Sequence, residues 1–285
     1  MCRRCSSKLT SGIVTVNVAN SWMVTPMPSS RSDVSPVKSA ERTVRILETL
    51  AASPARLTLS ELQERTGYPR SSLHALIRTL REAKWIEADE TGSAFGVGPH
   101  ALLSGTAYLD RDPALPYAYE TLEDLRADIG YTVHFARRDD AHVLYLASRE
   151  SRDSVRVVSR VGRRLPAHLT ALGQAMLAEL TSEEVDKILP ADLAGFTDHT
   201  ITDRVALHEE LANVRDRGWA LEREQGTIGV ACIAAAVPYR IPATDAISCS
   251  MPVSAATDKE IERVARAVSG HTAALASTLR RHGIR

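Results

Sequence analysis

A run of helix length, RSSLHALIRTLREAK from Arg70 to Lys84, carries two sets of side chains with different chemistry. Ser71, His74, Ala75 and Arg78 stand at i, i+3, i+4 and i+7, the spacing that gathers residues on one side of a helix. Arg70 precedes them, and Arg81 and Lys84 follow. Four basic residues against the single acid Glu82 give this stretch a net charge of +3, in a chain whose 35 basic and 35 acidic residues balance to +0. Arginine grips guanine O6 and N7 with two hydrogen bonds. The hydroxyls of Ser71 and Ser72 and the ring of His74 suit base edges or phosphates, and the Ala75 methyl suits a thymine methyl. Charged outer helix faces are ordinary, so the surroundings must decide whether this one reads DNA.

The elements around the run favour reading. Leu73, Leu76, Ile77 and Leu80 repeat the same spacing and form the inward stripe. Upstream, ERTVRILETLAAS places Val44, Leu47, Leu50 and Ala51 on one helical face. In LTLSELQERTG, Ser60 and Gln63 fit a capping box with Leu59 as its staple, and Gly67 stops the helix. Tyr68-Pro69 opens the next helix, because proline suits the first helical turn. Downstream, KWIEADETGSAFGVG reads as two short strands around Asp89–Ser93, with an acidic tip at Asp89 and Glu90 that phosphate should repel. Helix, helix, turn, helix, hairpin over residues 39–98 is the order of a winged helix-turn-helix. PHALLSGTAYL then reads as a linker helix and DRDPALP as a linker, together residues 99–116.

A second set of chemical residues lies in the C-terminal half. Ser248 and Ser250 alternate along the apolar run AISCSMPV, so both hydroxyls point to one face of a strand. With Cys232 in GVACIAAAV, and with nearby backbone N–H groups, they suit a small carboxylate or hydroxylated ligand. A Cys/His/acid set can also be written from Cys232, His168 and Glu222, which is the thiol-hydrolase alternative. Cys232 is flanked by Val230, Ala231, Ile233 and Ala234, with no base near it in sequence, whereas reactive thiols sit in electropositive, accessible places. No phosphate loop, HExxH or G-x-S-x-G motif is present, so no enzyme, no cofactor and no metal site are expected.

The positioning elements alternate helix and strand over residues 117–285. A helix with Ala118, Leu122, Leu125 and Ile129 on one face is closed by Gly130. TVHFA and HVLYLA read as strands around the turn ARRDD. VRVVSRV reads as another strand and LTALGQAMLAEL as a helix. TSEE and TDKE are capping boxes for later helices, GVACIAAAV and AISCSMPV are central strands, and a last helix runs to about Arg281.

Composition bounds the rest. The 285 residues, 44% of them hydrophobic, suffice for two domains with real cores. The balanced charge excludes a uniformly basic coat but not a local basic face. Cys2 and Cys5 form a CxxC without the second pair of a zinc ribbon, while Cys232 and Cys249 read as buried free thiols suited to a reducing cytoplasm. Residues 1–38, rich in Ser, Pro, Thr and Val, read as a disordered tail. No run approaches the ~18 apolar residues of a membrane span.

LTLSELQERTGYPRSSLHALIRTL followed by AFGVGPHAL resembles the IclR family of bacterial transcriptional regulators. So do VGRRLPAHLTALGQAMLAEL, RGWALEREQGTIGVACIAAAVP and ISCSMPV, in that order. The resemblance implies a multi-domain α/β chain: an N-terminal winged helix-turn-helix, a linker helix and a C-terminal GAF-like α/β effector domain. It implies a repressor-type regulator that binds double-stranded operator DNA as a homodimer or homotetramer. Carried over by motif, DNA contacts fall on Arg70, Ser71, Ser72, His74, Ala75 and Arg78. The effector pocket falls on Ala171, Leu172, Glu222, Cys232, Ser248 and Ser250, lining a site for a small organic effector, expected to be a partly apolar carboxylate or aromatic compound. Family members often have arginine in place of Ala75, and some have aspartate in place of Glu222, so neither operator nor effector transfers from them. A sensory module using its winged helix for protein contacts is the other alternative reading.

Overall fold

The computed structural model describes residues 37–151 and 161–285. Residues 1–36 of the expected tail (1–38), the CxxC and most of the expected strand VRVVSRV lie outside the described residues, and Lys38 already belongs to the first helix. The chain separates into two compact units, and the division passes within one helix. The first holds residues up to His74 with Ala88–Gly96, and the second holds Ala75–Glu87 with Val97–Arg285.

The N-terminal elements are α1 (Lys38–Ala51), β1 (Leu57–Thr58), α2 (Leu59–Thr66), α3 (Arg70–Glu82), β2 (Ile86–Ala88) and β3 (Ala94–Val97). Helix α1 buries Ile46 and Leu50 but leaves Val44 exposed, so its inward face is rotated from the one expected. The cap of α2 also differs. Thr58, not Ser60, is the N-cap, and its side chain accepts from the Glu61 N–H while the Glu61 carboxylate accepts from the Thr58 N–H. Both T-x-x-E and S-x-x-Q are present in the sequence. The charged carboxylate is the stronger acceptor, and starting at Leu59 puts buried Leu57 and Leu62 at the two staple positions. Gly67 closes α2 with φ 70, a left-handed geometry that a side chain would oppose. Pro69 sits one residue before α3, and its carbonyl accepts from the Leu73 N–H.

Strand β1 was not foreseen. It pairs antiparallel with β3, Leu57 opposite Phe95, and the small sheet runs β1-β3-β2. At the hairpin tip the Asp89 carboxylate accepts from the N–H groups of Ser93 and Ala94 and from the Thr91 hydroxyl, so this acid shapes the turn. Those hydrogen bonds, led by Ala94, hold its carboxyl below the usual range.

Helix α4 (Pro99–Asp110) buries no residue and exposes Leu102, Leu103 and Tyr108. The expected linker DRDPALP is shorter, running from Arg111 to Ala114 between two helices, and is tied down. Helix α5 (Leu115–Ile129) starts at Leu115, and Asp112, Ala114 and Leu115 are buried. Arg137 pairs with Asp112 and also with buried Asp245, at 2.7 Å and 2.9 Å, and the Tyr239 hydroxyl donates to Asp245. Two carboxylates, one of which also accepts from a phenol, satisfy a guanidinium charge that burial alone would penalise.

The rest of the second unit comprises β4 (Thr132–Asp139), β5 (His142–Arg149), β6 (Arg164–Pro166), α6 (Ala171–Leu177), α7 (Ser182–Ile188), α8 (Arg204–Arg217), β7 (Ala220–Arg223), β8 (Val230–Ala236), β9 (Asp245–Pro252) and α9 (Asp258–Arg281). The expected turn ARRDD contracts to Asp140 and Ala141, because Ala136 to Asp139 continue β4 in register with β5. Helix α6 has seven residues, all buried, and begins after Thr170 rather than at Leu169. Thr181 and Glu184 form the expected capping box. Thr257 caps α9, but the Glu260 carboxylate turns to Arg263, so that box is half-formed. Among the described residues the sheet has six strands, ordered β6-β5-β4-β9-β8-β7, with each neighbouring pair antiparallel. Helices α5 and α9 cover one face of it, and α6 and α8 cover the other. Coverage on both sides explains why β8 and β9 read as nearly unbroken apolar runs.

Candidate functional site

Helix α3 sorts its residues as its spacing requires. Leu73, Ile77 and Leu80 are buried and Leu76 is half-buried, whereas Arg70, Ser71, His74, Ala75 and Arg78 are exposed together. Ser72 stands apart from them. It is half-buried, and its hydroxyl accepts from Arg42 of α1 at 3.3 Å. Arg42 also lies over the Tyr68 ring, 5.2 Å from its centroid, so one α1 side chain braces the turn and the first residues of α3. Arg81 and Lys84 are exposed as well, and the outer face keeps its positive charge with no acid closer than Glu82 along it.

The second site is built on the sheet face covered by α6 and α8. Strand register sets it out in rows. Glu222 of β7 stands opposite Cys232 of β8, Cys232 opposite Ser250 of β9, and Ser250 opposite Thr132 of β4. In the next row Ala234 is opposite Ser248, Ser248 opposite His134, and His134 opposite Ser148 of β5. Directly opposed residues share a face, so Glu222, Cys232, Ser248 and Ser250 come together as expected. The Cys232 Sγ lies 3.2 Å from the Ser250 Oγ. Cys249 points to the opposite face, into the apolar core against α5 and α9.

Ala171 and Leu172, at the start of α6, lie in the core on this same side. Two features fix that start. The Thr170 hydroxyl accepts from the Gly173 N–H, and Gly173 approaches Ala167 so closely that a Cβ would come within 2.1 Å of its carbonyl oxygen. Gln174 donates to the His168 carbonyl at 2.9 Å and to the Gln225 side chain at 3.2 Å. Gln225 is tied down in turn, its carbonyl accepting from Thr200 at 2.7 Å and its N–H donating to Glu222 at 2.9 Å.

The electrostatics of this face are those of buried, mostly neutral groups. Burial pushes the Glu222 carboxyl up to about 7, against hydrogen bonds from Cys232 and the Gln225 and Gly226 backbone that favour its charge. Burial lowers His134 to about 4, keeping the ring neutral. Burial, and then the neighbouring Glu222, push the Cys232 thiol well up. That is the reverse of an activated nucleophile. The His168 Nε2 is engaged with the Ala194 carbonyl at 2.9 Å, and no hydrogen bond joins it to Cys232. The Cys/His/acid set is therefore not assembled.

His134, Thr132, Ser148, Gln174 and Gln225 share this site and were not foreseen. Alternation in TVHFA does put Thr132 and His134 on one face, but nothing local says which face. The Ser148 Oγ and the Gln174 Oε1 are buried without a hydrogen-bond partner among the described residues. Buried polar atoms of that kind are rare and costly in a finished core.

Known proteins match both halves of the chain. Residues 39–90 match the IclR helix-turn-helix domain, and residues 106–277 match the family described as bacterial transcriptional regulator IclR C-terminal. The chain is 30% identical over 253 residues to the transcriptional repressor IclR of Escherichia coli strain K12, covering 84% of this chain and 92% of that protein. An IclR transcriptional regulator from Alicyclobacillus acidocaldarius has the same fold, with TM-score 0.74 at 24% identity over 85% of this chain and 99% of that one. An IclR homologue from Microbacterium hydrocarbonoxydans, solved in complex with 4-hydroxybenzoate, aligns with TM-score 0.68 at 23% identity, covering 84% and 99%. With both domain families matched in order along its length, the chain belongs to the IclR family of transcriptional regulators.

Proposed function

We propose that this regulator reads operator DNA with the exposed face of α3 and is controlled by a small organic acid held on the polar face of its C-terminal sheet. The observation that carries the reading is the joint exposure of Arg70, Ser71, His74, Ala75 and Arg78 on a helix whose opposite side is buried. The N-terminal part of such a helix reaches base edges in the major groove, and the basic residues after it suit phosphates. The engagement of Ser72 with Arg42 gives it a bracing role beside that face. Asp89, spent on its own turn, leaves Glu90 as the acid that the wing presents.

A family member of this kind works as a homodimer or homotetramer. The linker helix supports that reading, since α4 buries nothing within its own chain and exposes Leu102, Leu103 and Tyr108. A dimer puts two α3 helices on half-sites about one helical turn, or a multiple of it, apart. An effector with unequal affinity for two arrangements of that dimer shifts DNA affinity. Among the described residues no helix is long and apolar enough to cross a membrane. A DNA target places the protein in the cytoplasm.

The effector positions are Ala171, Leu172, Glu222, Cys232, Ser248 and Ser250, extended by Thr132, His134 and Ser148. Apolar wall residues beside hydroxyls suit an aromatic or short aliphatic carboxylate. The DNA half is tested by gel shift on the protein's own upstream region. Arg70→Ala and Arg78→Ala each weaken binding, by roughly 1–3 kcal/mol where the contact is bidentate to guanine. Affinity unchanged in both variants would remove α3 from the reading role. Affinity insensitive to salt would favour the protein-contact alternative, because phosphate neutralisation makes DNA binding salt-dependent.

A further inference from the structure

Glu222 differs from every other buried acid described here in having no cationic partner. It is 4% exposed and makes no ion pair among the described residues. Buried Asp112 and Asp245, by contrast, share Arg137. The groups that act on Glu222 are neutral or acidic, and the Arg163 charge on this side acts on the neighbouring Tyr145. On β8 stands the Cys232 thiol, on β9 the Ser250 hydroxyl, on β5 the Tyr145 phenol, and beyond the strand end Glu224. On β4 the His134 ring is neutral, before α6 the His168 ring is held low by burial, and α6 itself contributes only the amide of Gln174. Arg223, next on the strand, alternates to the other face and donates to the Ala256 carbonyl. His199, from the loop before α8, lies 3.7 Å from Glu224 rather than at Glu222.

A carboxylate brought against Ser250 and Cys232 therefore meets a second carboxyl group in a site with little water. Two such groups in low dielectric do not both stay ionised, and one holds a proton between them. We propose that Glu222 recognises the effector carboxylate as a hydrogen-bond donor, so that effector binding takes up one proton and the regulator's response depends on pH. The proposal rests on the effector-site reading above. The proton comes from solvent, adds to a Glu222 oxygen, and is shared with the ligand; no other bond changes. The hydrogen bond from the Gln225 N–H to Oε2 fixes the carboxyl plane from one side. With a free-state value of about 7 for Glu222, the apparent affinity for an ionised acid falls about tenfold between about pH 6 and about pH 8.

The test uses the full-length protein with benzoate and 4-hydroxybenzoate, and with their uncharged amides as controls. Calorimetry at about pH 8, in two buffers of different ionisation heat, reads proton uptake directly on the wild type; close to one proton per site is expected. Glu222→Gln, whose amide keeps a donor and an acceptor, holds the low-pH affinity across the range and takes up no proton. Binding of an acid with flat pH dependence, or pH dependence that persists in Glu222→Gln, overturns the proton role and leaves the effector site standing. Failure of both acids to bind at any pH in this range overturns both readings.

Discussion

Strand β9 presents Ile247, Cys249 and Met251 to α5 and α9, and Ala246, Ser248 and Ser250 to α6 and α8. Both sets are buried, down to 0% exposure at Cys249 and 2% at Ser248. Burial therefore does not distinguish the two faces, but chemistry does. Against α5 and α9 the sheet adds Val133, Phe135, Leu146, Ile233 and Ala235, a set with nothing to hydrogen-bond. Against α6 and α8 it adds Thr132, His134, Ser148, Cys232 and Glu222, with polar atoms left over. The first face is a core and lends stability. The second gives up some stability to polar atoms left over, a cost that the proposed effector site would explain.

Three substitutions test that contrast. The largest effect belongs to the apolar face. Phe135→Ala, at a fully buried position, costs about 3–5 kcal/mol by urea unfolding. A cost below about 1 kcal/mol would mean that this face is not the core.

Glu222→Gln comes next, with the opposite sign. The folded protein keeps the Glu222 proton up to about pH 7, while an unperturbed glutamate releases it near 4.5. That contribution to stability is fully present below about pH 4.5 and is lost as pH rises through about 7. The amide variant is therefore more stable than wild type at about pH 8, by on the order of 2–3 kcal/mol. His134 acts the other way: neutral down to about 4 in the fold against 6.5 unperturbed, it makes stability fall as pH drops through that window. Thermal unfolding across pH separates the two, because Glu222→Gln removes only the first slope. Equal stability of variant and wild type at about pH 8 would show that Glu222 carries no such penalty.

Ser250→Ala has the smallest effect on stability, under about 1 kcal/mol, but abolishes the effector response while DNA binding persists. If it destabilises as much as Phe135→Ala, the second face is a core after all.

The sequence disclosed these features unevenly. The inward stripe and outward face of α3, the buried face of α5 and the shared side of Ser248 and Ser250 follow from periodicity within one element, and all four stand in the structure. What depends on competition between neighbours was read less well. Two overlapping capping motifs precede α2, and the carboxylate of Glu61 prevails over Gln63. Val44 and Ile46 lie on different sides of α1, and only tertiary packing selects Ile46. The two-residue β1 and three-residue β6 are too short to show a period and exist through their partners, Phe95 and Val143 among them. Helix α8 carries local signals, an Asp203 cap at its start and Gly218 at its end. The polar row was half visible. Cys232 and Ser250 came through family motifs, but His134 and Ser148 join it only through strand register between segments far apart in sequence. No local pattern supplies that register.

We propose that α3 reads DNA and that the polar sheet face decides when. Footprinting of the upstream DNA, with wild type, Arg78→Ala and Ser250→Ala, each with and without benzoate and 4-hydroxybenzoate, tests it most directly. The expected result is a footprint by wild type that one of these acids changes, a weakened footprint by Arg78→Ala, and a footprint by Ser250→Ala that neither acid alters. A wild-type footprint that neither acid alters, or an acid response intact in Ser250→Ala, would contradict it.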